Sequence, residues 1–212
     1  RSLLIDEIIV ATSVEELDDP VEELTRDLGV GCFRGSEADV LSRVVGALKA
    51  FDVDIHAEFM GDNPIPDPML VDSFIGYYLK NADHCDYVTN AMKITYPPGA
   101  EVYVYSAATL YDAESRVTDP ALREHVAINI DQYPERYKLR NLEAPPWFRF
   151  PNLHFEVDTQ EDFEVVSAIF EHLYPGNPGF GLAQVLEFVI ANPELVSRNS
   201  GVSRRWKKYR QG

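Results

Sequence analysis

The sequence predicts an α/β fold: a mostly parallel central sheet with helices on both faces. Three observations point there. Short apolar, β-branched runs alternate with stretches of helical spacing through the first 90 residues. The helical stretches are bounded by capping residues such as Gly29, Ser36 and the Asp67-Pro68 pair. The chain has 212 residues, 45% of them hydrophobic and 25% charged, which suits one domain with a real core over residues 1–212.

Ile5 to Thr12 is short, apolar and β-branched, the mark of a buried parallel strand. Val14 to Leu28 is acidic and helical and closes at Gly29. Val30 to Phe33 reads as a strand. Ser36 is positioned to cap a helix running to about Phe51, with Val40, Leu41, Val44 and Leu48 on one face. A strand over 53–59 leads into a helix over 69–80, capped by Asp67 with Pro68 at its first position. Further strands are expected at 86–90, 101–105, 137–141 and 153–157. Helices are expected at 107–115, from Asp119-Pro120 through about Asp131, at 161–173 and at 181–191. Strand and helix alternate less strictly in this second half. No repeat or low-complexity segment is visible.

Charge narrows the function classes. The formal net charge is −16, which argues against non-specific nucleic-acid binding and against anionic membranes. A small anionic ligand remains compatible if a cation and a few arginines are focused locally. The basic cluster Arg204-Arg205-Trp206-Lys207-Lys208-Tyr209-Arg210, within a tail over 200–212, reads as a solvated tail or an oligomer contact. No apolar run approaches the ~20 residues needed to span a bilayer. Two cysteines, Cys32 and Cys85, supply neither a disulfide framework nor metal spacing, and a reducing, cytoplasmic setting is expected.

The richest stretch is Gly61-Asp62-Asn63-Pro64-Ile65-Pro66-Asp67-Pro68, at the carboxyl end of a strand, where open α/β sheets place ligands. Its prolines stiffen the crossing and Asp67 caps the next helix, so Asp62 is the acid without an evident structural task. An Asx-turn with Asn63-Pro64 is its bland reading. Asp158 also ends a strand, and two readings stand for it: the N-cap of the helix that follows, or a second carboxylate converging on Asp62. Such a pair suits Mg²⁺, which takes few protein ligands alongside substrate phosphates. Phe33-Arg34-Gly35-Ser36 joins a strand end to a helix N-terminus, where free N–H groups attract anions, or where Ser36 simply caps and Arg34 is a surface charge. Arg123 and His125 point to different faces of their helix, and His125 reads equally as a core histidine.

Taken in order, FRGSExDVLxR, GDxPxxDP, DYVTN, YPxG, TDPxxREHV, NLEAP and VDTxEDF resemble the spore-coat polysaccharide F-type cytidylyltransferases, akin to the acylneuraminate and 3-deoxy-manno-octulosonate cytidylyltransferases. The resemblance covers nearly all of residues 5–190. It implies a Rossmann-like nucleotide-diphospho-sugar transferase fold and Mg²⁺-dependent transfer of CMP from CTP to a sugar hydroxyl in surface-polysaccharide synthesis. By the resemblance, Asp62 and Asp158 are the metal carboxylates, and Arg34, Gly35 and Ser36 contact the nucleotide. Asn90, Glu101, Arg123, Glu124 and His125 fall in segments like the acceptor-sugar pocket. A homodimer is implied, with residues 90–118 or so as an exchanged arm.

Three departures accompany it. Such proteins open with a strand and a Gly-rich basic loop that cradles the triphosphate; neither is in this sequence, and a longer natural N-terminus is expected. Glu58 stands where relatives commonly carry Arg, and Tyr103 where they often carry Glu. The alternative reading is a non-catalytic nucleotide-binding or partner subunit of the same fold.

Overall fold

The computed structural model describes residues 1–204. Most of the basic cluster, from Arg205 on, falls outside the described residues.

The first unit is a β-α-β crossover. Strand β1 (Ile9–Ser13) leads through a single helical turn to α1 (Asp19–Leu28) and back to β2 (Gly31–Gly35). The strands pair in parallel from Ile9↔Gly31 to Ser13↔Gly35. Gly29 ends α1 in the left-handed conformation, φ 68°, and its N–H returns to the Thr25 and Arg26 carbonyls. Helix α2 (Val40–Ala50) begins later than the Ser36 cap implies. Asp39 caps it, accepting from the Ser42 N–H at 2.8 Å, while Ser36 Oγ accepts from the Asp39 N–H at 3.0 Å. Ser36 therefore shapes the turn ahead of the helix, and the equally good capping residue nearer the apolar face takes the N-cap.

The second unit is a four-stranded sheet in the order β3-β5-β4-β6, built from β3 (Ile55–Glu58), β4 (Tyr87–Thr89), β5 (Tyr103–Ser106) and β6 (Leu139–Asn141). β4 and β6 run parallel. β5 lies between β3 and β4 and is antiparallel to both. The mostly parallel expectation gives way here to a mixed sheet, for a physical reason. Residues 90–102 contain no crossover helix, so the chain returns antiparallel.

Helix α3 (Pro68–Asn81) is capped by Asp67 Oδ1, which accepts from the Met69 and Leu70 N–H groups at 2.8 and 3.1 Å. Helix α4 (Ala107–Glu114) follows β5. The helix expected from Asp119 to Asp131 is split into α5 (Pro120–Arg123) and α6 (Ile128–Asp131). The buried Asn129 amide donates to the Leu122, His125 and Val126 carbonyls, a side-chain competitor that breaks the regular ladder. The fold ends in α7 (Gln160–Leu173), α8 (Leu182–Ala191) and α9 (Pro193–Ser197).

Strand alternation sorts the four-stranded sheet into two faces. Val88 and Val104, opposite one another in the register, join Phe74, Val165, Ile169, Val185 and Leu186 from α3, α7 and α8. Tyr87, Tyr103 and Tyr105 point the other way and pack with Leu41, Val45, Leu110 and Ile130 from α2, α4 and α6. Both faces are covered by helices, as the sequence predicts. Residues 90–118 supply β5 and α4 to this same core. The strand expected at 153–157 does not form, because the segment joins no ladder. Its Phe155 N–H bonds the Pro98 carbonyl and its Val157 N–H the Asp62 carbonyl, both at 2.8 Å, so it alternates between two loops.

Candidate active site

That last bond builds the site. By tying Val157 to the backbone of Asp62, it brings the following residue, Asp158, alongside Asp62. Both side chains are open to solvent. The Asp62 carboxyl is nevertheless pushed above its ordinary range, first by the crowding that desolvates it, then by the charges of Asp158 and Glu156. Two hard oxygen donors thus repel one another where the turn after β3 meets the segment ahead of α7. Neither has the structural task its bland reading assigned. Thr159, not Asp158, is the N-cap of α7, in a reciprocal capping box with Asp162.

The surrounding loops are held rigidly. Glu101 Oε2 accepts from the Asn63 amide at 3.1 Å and from the Gly99 N–H at 2.8 Å, fixing the residue beside Asp62. Gly99, at φ +97°, has its α-carbon so close to the 155–156 peptide that a Cβ would lie 2.5 Å from the Phe155 carbonyl carbon. The buried Asn90 spans the loop from β4 to β5, donating to the Ala100 carbonyl and accepting from the Val102 N–H, both at 2.9 Å. Glu58 and Tyr103 are cross-strand partners, both buried. The Tyr105 hydroxyl donates to the Glu58 carboxylate.

Behind Asp158 lies a buried polar hub that sequence reasoning missed. Asp162 Oδ2 accepts from the Asp158 and Thr159 N–H groups at 3.2 and 3.1 Å. Asp162 also receives both Arg204 Nη atoms, at 2.8 and 2.7 Å, and the Asn199 amide at 2.8 Å. Burial drives the Asp162 carboxyl up, but the Arg204 fork and Asn199 outweigh it and hold it near 2. Arg204, read as part of a solvated tail or oligomer contact, is instead fully buried. The spacing of Thr159 and Asp162 could have flagged the hub. Nothing in the irregular stretch after α9 could have flagged Asn199 or Arg204.

The other sequence-nominated residues lie apart from this pair in their contacts. Arg34 binds the Ser13 and Glu15 carbonyls and the Asp19 and Glu22 carboxylates at 2.6–2.9 Å, locking β2 to the start of α1. Gly35 and Ser36 follow it, beside an open cleft of about 660 Å³ at the carboxyl ends of β1 and β2. Ser13, Glu15, Glu16, Asp18, Glu37 and Arg43 are among its walls. Arg123 is engaged by Asp39 and Glu114, at 2.7 Å each, and by the Val117 carbonyl, which joins α2, α4 and α5. Glu124 is exposed and His125 half-buried at the break between α5 and α6. Among the described residues, no group of three or more His, Cys, Asp or Glu side chains is arranged to hold a metal ion.

A family model described as cytidylyltransferase matches residues 1–177. The chain belongs to the cytidylyltransferase family. The family name states the general reaction, transfer of CMP from CTP. An uncharacterized protein of Methanocaldococcus jannaschii is 34% identical over 211 residues, all of this chain and 83% of that one. The spore coat polysaccharide biosynthesis protein SpsF of Bacillus subtilis is 31% identical over 193 residues, 91% of this chain and 78% of that one. The structure of a cytidylyltransferase from Leptospira borgpetersenii superposes with a TM-score of 0.88 at 24% identity. It covers 96% of this chain and 83% of that one, and the shared architecture is the Rossmann-like nucleotidyltransferase fold. No helix among the described residues is long and apolar enough to cross a membrane.

Proposed function

We propose that this cytidylyltransferase moves CMP from CTP onto a hydroxyl of a sugar used in surface-polysaccharide synthesis, with Mg²⁺ as cofactor. The observation that carries the reading is the carboxylate pair Asp62 and Asp158, mutually repelling, solvent-open and free of capping duty. The pair fits Mg²⁺: two hard oxygens leave most of the octahedral shell to water and substrate phosphates. Bound there between Asp62 and Asp158, the ion would offset negative charge on the triphosphate.

In the reaction, the sugar hydroxyl gives its proton to solvent as its oxygen bonds to the α-phosphorus, the bond from that phosphorus to the α–β bridging oxygen breaks, and pyrophosphate leaves with the bridging oxygen. No covalent enzyme intermediate is needed, so the protein's task is alignment. Glu101, through Asn63 and Gly99, holds the loop that carries Asp62. Asn90 fixes the loop that carries Glu101. Glu15, Glu16, Asp18 and Glu37 outnumber the single cation, Arg43, in the lining of the cleft beside Gly35 and Ser36, which favours the cytosine base or ribose there over phosphates. Asn90, Glu101, Arg123, Glu124 and His125 are proposed to serve the acceptor side, and a homodimer is proposed as the assembly.

Pyrophosphate release from CTP with Mg²⁺ and a panel of acidic and neutral sugars tests the reading. Asp62→Asn is expected to abolish release; undiminished release by that variant refutes the metal assignment. A second reading is favoured by Arg34, whose guanidinium is committed to Asp19 and Glu22. In that reading the chain is a non-catalytic nucleotide-binding subunit, which would bind CTP in preference to ATP and UTP by calorimetry yet release no pyrophosphate.

A further inference from the structure

The family match ends at residue 177, yet the site's backing continues beyond it. Asn199 and Arg204 lie in the C-terminal segment, and both are buried against Asp162. Arg204 presents a two-pronged fork, one Nη to each Asp162 oxygen, and its Nε lies 3.6 Å from the Glu156 carboxylate. Asn199 reaches back to the His154 carbonyl at 3.1 Å, on the segment that ends in Asp158. Asp162 completes the link by accepting the N–H of Asp158 itself.

The geometry points to Arg204 as a positioning residue for Asp158, a role by which the C-terminal segment, outside the matched family region, sets the geometry of the active site. This rests on the reading of Asp62 and Asp158 as a cation-binding pair. The physical reason is the chain of contacts. Asp158 is exposed, and its backbone is held by the Asp162 carboxylate that accepts its N–H. Its peptide N–H is fixed only as firmly as Asp162 is. A lone Asp162 carboxylate would be free to rotate, whereas the bidentate guanidinium of Arg204 fixes its plane. Lysine offers charge without that fork, so the pair is sensitive to the exchange of one cation for another.

The test uses Mn²⁺ as the probe, with its affinity followed by electron paramagnetic resonance in the presence and absence of CTP. The variants are Arg204→Lys, Arg204→Gln and the double variant Asp162→Asn/Arg204→Gln, which removes both charges of the Arg204–Asp162 pair together. Outer-shell substitutions weaken metal affinity by roughly tenfold or more. Such a loss is expected in the folded double variant, with faster hydrogen exchange at the Asp158 and Thr159 amides and partial recovery in Arg204→Lys. A merely structural role predicts a lowered melting temperature with Mn²⁺ affinity and amide exchange at wild-type values in whichever variants fold, and that result overturns the inference. Asp62→Asn separates the two layers. If it leaves Mn²⁺ affinity unchanged, the carboxylate-pair reading fails and the inference with it. If it weakens binding while the Arg204 series does not, only the role of Arg204 falls.

Discussion

Asp62 illustrates how one side chain can cost stability at a site proposed to hold a cation. Its folded pKa is raised, so the ionised form is disfavoured in the native state. For an acid shifted upward, the native state is penalised once pH exceeds the unfolded value of about 4, and the penalty is absent below it. Asp62→Asn is therefore expected to raise the melting temperature at pH 7 and to leave it unchanged near pH 3, while turnover is lost. A lowered melting temperature at pH 7 would mean the carboxylate has a structural role. Asp162 has the opposite sign. Held near 2, it stabilises the fold above about pH 4, and that contribution disappears as pH falls toward 2. Asp62 was legible from sequence because its neighbours Asp67 and Pro68 visibly account for the helix start. Arg34 was legible as a cation at a strand end, but its partners were not, because Asp19 and Glu22 reach it only through the β-α-β crossover.

At the scale of elements, caps and turns decide how well local reading succeeds. Gly29 and Asp67 act as the sequence indicates because their partners lie within four residues. Asp67 has a further role that no local pattern reveals: its Oδ2 accepts the Leu182 N–H at 2.7 Å and so joins the starts of α3 and α8. The direction of β5 was equally hidden, since it depends on what residues 90–102 fail to form. Gly99 shows the difference most sharply. The turn Tyr96-Pro97-Pro98-Gly99 is unremarkable as sequence, yet its glycine lies against the peptide that leads to Asp158. Gly29→Ala meets open space and bears only the left-handed conformation, about 1 kcal/mol. Gly99→Ala adds a backbone overlap to that strain and is expected to cost more, about 2–4 kcal/mol by urea unfolding. Equal losses in the two variants would show that the contact with Phe155 yields freely. The displaced 154–157 segment should also lower pyrophosphate release in Gly99→Ala but not in Gly29→Ala.

The whole molecule divides into a two-stranded and a four-stranded sheet that share no ladder. Alternation and length indicated the α/β class, but this division follows from long-range pairing that periodicity does not encode. The two parts differ in burial. β4 is fully buried and β5 nearly so, while every residue of β2 is only half-buried. Thr25 is the one residue of α1 that is buried, and Leu24 and Leu28 on that helix are exposed. Few buried apolar contacts mean a low free energy of local opening. Amides of Ile9–Ser13 and Gly31–Gly35 should therefore exchange by sub-global opening, faster than those of Tyr87–Thr89, which should exchange only with global unfolding. CTP that engages the cleft at the ends of β1 and β2 binds the closed form alone, and would slow exchange in the first unit selectively. Uniform protection across both sheets without ligand would show one cooperative unit. Protection by CTP confined to the four-stranded sheet would move the nucleotide away from Gly35 and Ser36.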